Sequence, residues 1–417
     1  MRLSKLFTKT TKTVPADETA NNAKLLIRAG FIHKEMAGVY TFLPLGLKVL
    51  NNIANVVREE MDKIGGQEVL MPALQVKERY ELTGRWDDKI VDDWFKTRLV
   101  NGTELGLGFS HEENLSPIVK NFINSYKDLP LAIYQIQTKF RNELRSKSGL
   151  MRGREFLMKD MYSFAISQPQ HDEIYSSIQG AYRKIFDRLE IGDKTFLTSA
   201  SGGSFSKYSH EFQALSEAGE DTIYLDRVKK VAINREVLDD KVIADLGLKR
   251  KDLEEVKAIE VGNIFSLGTK FSEPFNLMAV NDKGVQQPVL MGCYGIGISR
   301  VMGTIAELKS DDRGLVWPVC IAPAKVQLVR LGDNPAVIKV ADKLYTDLTS
   351  AGTLVIYDDR DERAGEKLAD ADLMGTPYRL VVSDKTIASN SVEFKKRSAT
   401  EVKLIDLKSV IKVLENS

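Results

Sequence analysis

Apolar residues recur at three- and four-residue steps in "LGLKVLNNIANVVREEMDKIGG", placing Leu47, Leu50, Ala54, Val57, Met61 and Ile64 on one face. The spacing predicts an amphipathic helix ended by Gly65, then a short strand in "QEVLMP" that stops at Pro72. "FSHEENLSPIVKNFINSYKDL" carries a second helical stripe through Ile118, Val119, Phe122, Ile123 and Tyr126. Its acidic opening reads as a cap that uses the positive end of the helix dipole.

Two strand-like runs follow, "LAIYQIQTKFRNE" and "EFLMKDMYSF", joined by "LRSKSGLMRGR". Period-two alternation puts Gln135, Gln137, Lys139, Arg141 and Glu143 on one face of the first, and Phe156, Met158, Asp160 and Tyr162 on one face of the second. "PVLMGCYGIGISRVMGTIAEL" reads as a strand, a glycine-rich turn and a helix with Arg300 early in it. From about residue 322 the pattern changes to short apolar strands ("KVQLVRL", "TLVIYDD", "YRLVVSD") alternating with helical segments, which predicts a separate α/β domain with a parallel sheet. The expected boundary falls between Pro318 and Pro323, giving domains 1–321 and 322–417.

Composition narrows the class without naming it. A chain of 417 residues, 43% hydrophobic and 28% charged, has length for two or three globular units. With 59 Lys+Arg against 58 Asp+Glu, any nucleic-acid contact must come from local patches. Cys293 and Cys320 are too few for a disulfide framework and lack zinc-site spacing, so a cytoplasmic location is expected. No apolar run is long enough to span a bilayer, and no membrane association is expected.

The polar chemistry concentrates in the middle of the chain. Arg145, Lys147, Arg152 and Arg154 lie in one loop between two antiparallel strands and suit a polyphosphate, because guanidinium forks bind phosphate oxygens in pairs. Asp160, set among aromatic and thioether side chains, suits a small organic ammonium. The glycines Gly292, Gly295 and Gly297 match neither a P-loop nor a dinucleotide fingerprint.

Taken in order, these segments resemble the prolyl-tRNA synthetases of bacterial type, a family of class II aminoacyl-tRNA synthetases. "AGFIHKEMAGVYTFLPLGLKVLNNI" through Pro72 is similar to the first class motif, "KFRNE…RGREFLMKDMYSF" to the second and "MGCYGIGISR" to the third. "SHEEN", "SHEFQALSEAGED" and "DDRDERAGEKLADADLMGTPYRLVV" extend the likeness over nearly the whole chain.

The resemblance implies an α+β catalytic domain with an antiparallel sheet flanked by helices, a C-terminal α/β anticodon-binding domain and a homodimer built on the first motif. It also implies activation of L-proline with ATP and Mg²⁺, then transfer of prolyl to tRNA(Pro). Arg141 would meet the α-phosphate and the proline carboxylate, Glu143 the adenine amino group, Phe156 the base, and Arg152 and Arg300 the outer phosphates. Ser110 and Glu112 stand where the family has Thr-x-Glu for the prolyl ammonium; Met158, Asp160, Tyr162, His210 and Cys293 would complete that pocket. Arg360, Glu362, Arg363, Lys367, Glu393, Lys395 and Arg397 would read or clamp the anticodon.

The chain departs from the family in places. Where many bacterial relatives carry a large editing module, about 226–259 holds only a short insertion, too short for an independent core. The expectation is no hydrolysis of alanyl-tRNA in cis and a need for a separate deacylase, because a pocket rejects a smaller ligand by only about 1–3 kcal/mol per missing methylene. "SGGSFSKYSHEF" spaces its Gly-Gly pair differently, and Asn263 replaces a usual histidine. Activation of another amino acid, loading of a carrier instead of tRNA, a non-catalytic tRNA-binding paralogue and a general nucleotide-binding protein are the competing readings. The ATP set and the C-terminal domain argue against them.

Overall fold

The first predicted helix is α1, Pro44–Lys63. Its proline stands at the first position, where a missing N–H costs nothing, and Gly65 takes φ +82° just beyond the end. Leu50, Ala54, Val57 and Met61 are buried, while Leu47 is exposed. Gly66 is required by packing, since a Cβ there would stand 2.9 Å from both the Met61 carbonyl oxygen and the Met161 methyl. The strand that follows is only β1, Gln67–Glu68.

This computed structural model describes residues 1–144, 148–203, 205 and 208–416. The chain divides into two compact units: Met36–Val39 with Ile53–Thr304, and Met1–Glu35 with Tyr40–Asn52 and Ile305–Ser417.

In the first unit, helices α2 (Lys77–Leu82) and α3 (Glu112–Val119) precede the strands β2 (Leu131–Phe140) and β3 (Glu155–Ala165). The stripe predicted through Tyr126 overshoots α3. Beyond Val119 the backbone tightens into turns such as Asn121 N–H to Ile118 O, and Phe122 is 73% exposed. Helix α4 (Gln168–Arg188) leads to β4 (Thr195–Ser201), β5 (Tyr208–Leu215), β6 (Asp221–Asp226) and β7 (Val231–Asn234). A short helix α5 (Asp240–Asp245), the long strand β8 (Glu254–Gly268), β9 (Leu290–Gly297) and α6 (Ile298–Leu308) follow.

One nine-stranded sheet results, in the order β5-β4-β7-β6-β8-β9-β3-β2-β1, and β5 pairs with β8 as well. It is antiparallel except at β7–β4 and β1–β2. Register places Gln135 opposite Asp160, Gln137 opposite Met158 and Lys139 opposite Phe156, so the predicted polar face of β2 and the predicted apolar face of β3 around Asp160 are one side of the sheet. The same rows run on through Gly295, Asn263 and Glu211, and from Tyr162 through Cys293, Phe265 and Ser209. The reverse side packs on α4, where Lys159 Nζ donates to the Tyr182 hydroxyl and to the Tyr294 carbonyl.

The short insertion is built into this sheet. Strand β7 lies between β4 and β6, and Ile233, Ile243 and Leu248 form a small core with Val237 and Leu246. The glycines of "GCYGIG" lie inside β9 itself, and α6 begins at the next residue, with no intervening turn.

The second unit contains a five-stranded sheet, β11-β10-β12-β13-β14 in spatial order. Its strands are β10 (Val326–Arg330), β11 (Val355–Asp358), β12 (Tyr378–Val382), β13 (Ser391–Lys396) and β14 (Lys403–Asp406). Helices α7 (Pro335–Ser350) and α8 (Ala364–Met374) connect the parallel strands β10, β11 and β12. The expectation of a parallel sheet fails at β13 and β14, which are antiparallel. Segments 383–390 and 397–402 are too short for the crossover of about a dozen residues that a parallel return demands. No helix among the described residues is long and apolar enough to cross a membrane.

Candidate active site

Arg141 leaves the end of β2 with its guanidinium between two rings, 5.0 Å from the Phe109 centroid and 5.5 Å from that of Phe156. Its Nε is buried without a partner. Burial and the like charge of Arg300 both push its pKa below the ordinary arginine value. These are the marks of a cation held ready for an anion.

The side chain borders a cavity of about 250 Å³, shared with Glu143, Arg152, Glu220, Glu260 and Arg300. Arg300, the third residue of α6, donates to the Glu260 carboxylate at 2.7 Å and to the Glu260 carbonyl at 3.0 Å. Arg152 donates to Glu143 at 2.8 Å and also pairs with Glu220. Arg154 is structural, donating to the carbonyls of Glu143 and Ala37. Arg145 and Lys147 lie outside the described residues.

Beneath the cavity runs a buried polar network. Lys139 Nζ is 2.8 Å from Asp160 Oδ1 as an ion pair, off the angle of a hydrogen bond, and 3.0 Å from His111 Nδ1. Asp160 Oδ2 accepts from Tyr162 at 2.7 Å and from Gln135 at 3.0 Å. Burial opposes ionisation of Asp160, but Lys139 and His111 outweigh it and hold the carboxyl below its ordinary range. Burial also pushes Lys139 down. The charged lysine is nonetheless the form that satisfies both neighbours. His111 is neutral, its pKa lowered to about 4 by burial and by Lys139, and its Nε2 donates to the Pro72 carbonyl at 3.1 Å. Asp160 is therefore already paired with a cation inside the protein, although its Oδ1 has no hydrogen-bond partner.

Glu112 is the carboxylate with an oxygen to spare. The acidic pair at the start of α3 was expected to cap the helix, but its N-cap, His111, makes no side-chain cap bond. Glu112 and Glu113 instead meet the guanidinium of Arg85, all three fully buried. Ser110 Oγ donates to Glu112 Oε2 at 2.6 Å, and Glu112 Oε1 has no hydrogen-bond partner. Burial, the Glu112 charge and a hydrogen bond to that carboxylate push the Cys293 thiol up, so it stays protonated. Cys293 and Tyr162 are paired across β9 and β3, and Met158 lies two rows farther along.

His210 is not part of this group. On β5 its side chain follows the row of Ile264 and Tyr294, which faces α4, and the Tyr175 hydroxyl meets its Nδ1 at 2.7 Å. Its neighbours Ser209 and Glu211 are the residues of that strand turned to the site. Asn263 fills the wall left by the missing histidine by accepting from the Gly295 N–H at 3.1 Å. A Cβ at Gly295 would come within 2.7 Å of that oxygen, which explains the glycine.

In the C-terminal sheet the predicted contacts divide. Arg360 is tied to Asp358 and Asp370, Lys367 is buried against the Arg330 carbonyl, and Arg397 grips Asp311 through both terminal nitrogens. Those three hold the unit together. Glu362 and Arg363 are exposed, and Glu393 and Lys395 are half-buried on one side of β13.

Sequence reasoning missed Arg85, Glu220 and Glu260. The signal for Arg85 was present in "ELTGRW", where Gly84 at φ +75° ends the turn after α2 and throws the next side chain inward.

The fold and the cationic cavity define a class II tRNA synthetase. The family model for the tRNA synthetase class II core domain (G, H, P, S and T) matches residues 95–309, and that for the anticodon binding domain matches 319–417. The chain is 39% identical over 420 residues to the proline–tRNA ligase of Rickettsia bellii, covering 98% of this chain and 97% of that one. It is 37% identical to the proline–tRNA ligase of Rickettsia rickettsii over 99% and 100% of the two chains. It belongs to the proline–tRNA ligase family.

Solved structures agree in fold. The prolyl-tRNA synthetase of Giardia lamblia in complex with prolyl-adenylate superposes with a TM-score of 0.77 at 20% identity, over 93% of this chain and 74% of that one. The Cryptosporidium parvum enzyme complexed with L-proline and AMP gives 0.75 at 18% identity, over 95% and 75%.

Proposed function

We propose that the cavity at Arg141 and the pocket at Glu112 are the two halves of one proline-activating site. The observation that carries this reading is Arg141 itself: buried, flanked by two rings, with an unpartnered nitrogen and a like charge across the cavity. Phosphate relieves all of these strains at once. ATP and L-proline react there, and prolyl then passes to the 3′ end of tRNA(Pro).

In the first step a proline carboxylate oxygen forms a bond to the α-phosphorus, and the bond from that phosphorus to the bridging oxygen breaks, releasing pyrophosphate. The attacking carboxylate is already ionised, so no general base is needed; positioning and neutralisation lower the barrier. Arg141 bridges the α-phosphate and the carboxylate. Arg152 and Arg300 take the outer phosphates, which compete with Glu143, Glu220 and Glu260 for them. Phe156 stacks on adenine and Glu143 meets its amino group. Ser110, Glu112, Met158, Tyr162 and Cys293 enclose the proline ring over a floor set by Asp160. In the second step a terminal ribose hydroxyl attacks the prolyl carbonyl and AMP leaves.

Magnesium is held by one or two carboxylates together with phosphate oxygens, without a full protein cage. Among the described residues no group of three His, Cys, Asp or Glu is placed to hold a metal alone. Glu211, Asp221 and Glu260 are close enough to feel one another, and Glu211 is pushed up to about 8 by burial and by Glu260. A pair of these carboxylates fits a Mg²⁺ that arrives with the phosphates. When bound, that ion neutralises charge on the phosphate oxygens.

The catalytic region runs to 321 and the anticodon-binding region from 322, with Glu362, Arg363, Glu393 and Lys395 toward the anticodon. Exposed Leu70 and Leu74 after α1 support a homodimer, which sedimentation mass tests. The cell compartment is the cytoplasm. The short insertion supports the absence of cis-editing and a separate deacylase; rapid deacylation of alanyl-tRNA(Pro) by the purified chain would refute this.

The deciding experiment is amino-acid-dependent exchange of pyrophosphate into ATP across all twenty amino acids, with Arg141→Ala as control. Proline-driven exchange that the variant loses supports the reading; no exchange with any amino acid overturns it.

A further inference from the structure

We infer that Arg85, with Glu113 as its counterweight, is the positioning residue that keeps Glu112 Oε1 free to receive a secondary ammonium. The inference deepens the proposed proline-activating function and rests on it. Neither Arg85 nor Glu113 is assigned to ligand contact; both act through Glu112.

Arg85 is 1% exposed and confined on its faces by Phe205, Phe271 and Phe109, with ring centroids 4.8, 5.4 and 5.6 Å from its guanidinium carbon. One terminal nitrogen, Nη1, donates to Glu112 Oε2 at 3.1 Å and to both Glu113 oxygens at 3.2 and 3.1 Å. The other, Nη2, donates to Ser110 Oγ at 2.8 Å. Ser110 Oγ in turn donates to Glu112 Oε2. The arginine and serine donors thus converge on Oε2, and Oε1 has no nitrogen or hydroxyl donor, the Cys293 thiol being the other group within reach of this carboxylate.

A buried carboxylate oxygen without a donor is costly. An arginine and a carboxylate left to themselves form a paired, two-bond fork that would close Oε1. Glu113 prevents this. It takes Nη1 on the other side and is itself held by the Thr83 hydroxyl at 2.8 Å. The guanidinium is divided between two carboxylates, so Glu112 is held by one oxygen only. Orientation is fixed while the second oxygen stays available to a substrate N–H.

The test uses the full-length chain in proline-dependent pyrophosphate exchange, with KM for proline and KM for ATP measured separately and thermal melting alongside. The variants are Arg85→Lys, Arg85→Met and Glu113→Gln. Glu113→Gln keeps shape and the Thr83 contact but frees Arg85 to fork onto Glu112. Its KM for proline should rise about tenfold or more, which is about 1.4 kcal/mol, with KM for ATP within about twofold. Arg85→Lys should raise KM for proline less than Arg85→Met, because an ammonium keeps the charge but not the fork. If Arg85→Met does not fold, Glu113→Gln decides. An unchanged KM for proline in Glu113→Gln and Arg85→Lys, or equal shifts for proline and ATP, overturns the inference while leaving wild-type exchange and the proposed function intact. No exchange by the wild type overturns both.

Discussion

Lys139 Nζ and Asp160 Oδ1 lie 2.8 Å apart with both side chains almost fully buried. Removing one partner strands the other charge, which costs about 3–5 kcal/mol in buried pairs. Lys139→Met should lower urea-unfolding stability by that order. Asp160 is held below its ordinary value of 3.8, so the pair's contribution is complete above that value and is lost as pH falls through the lower native one. In the variant, burial without the lysine pushes the Asp160 carboxyl up, so the gap between wild type and Lys139→Met should begin to narrow above pH 3.8, as the variant takes up a proton, and close further as wild type loses its pair in stronger acid.

Arg141→Ala should split activity from stability. Exchange should fall about 10²–10³-fold, the usual cost of removing one preorganised charge from a transition state. Ligand-free melting should stay level or rise, because the variant removes a buried cation already disfavoured by burial and by Arg300. A large drop in melting temperature would contradict the assignment.

Glu211 gives a pH signature of opposite sign. Its native value is about 8 against an ordinary 4.5, so the native state holds this proton more tightly than the unfolded chain. Stability should fall as pH rises from 4.5 to about 8, and Glu211→Gln should flatten that slope. The two proteins should converge below pH 4.5. Calorimetry or urea titration across this range, without nucleotide, reads the effect.

The C-terminal sheet separates scaffold from contact. Arg397→Ala breaks a paired grip on Asp311 and should lower thermal stability. Arg363→Ala, at an exposed position, should leave melting unchanged and weaken tRNA binding with a shallower salt dependence. Filter binding across salt concentrations distinguishes the two.

The strand faces are visible in the sequence because alternation has a fixed period: Gln135 and Lys139 share one face of their run and Phe156 and Asp160 one face of theirs, and register joins the two faces. Pairing across space has no such period. That is why Asp160 reads as a ligand group in the sequence when Lys139 is already paired with it, why Arg360 and Arg397 read as nucleic-acid contacts when aspartates hold them, and why His210, expected in the pocket wall, lies on the opposite side of the sheet. Arg85 escaped because its three aromatic neighbours, Phe109, Phe205 and Phe271, are far apart in sequence. The antiparallel end of the C-terminal sheet followed from connection length, which was readable but outweighed by the strand–helix rhythm before it.

Strand β7 gives the short insertion a consequence for protein engineering. Excising 226–259 would take out β7 together with Glu254–Ala258 of β8, stripping β6 of both its partners and baring the β7-facing edge of β4 in the sheet that carries the active site. A graft that restores a larger module must enter between β7 and β8, within 235–253, with Val231–Asn234 kept as a fixed hem.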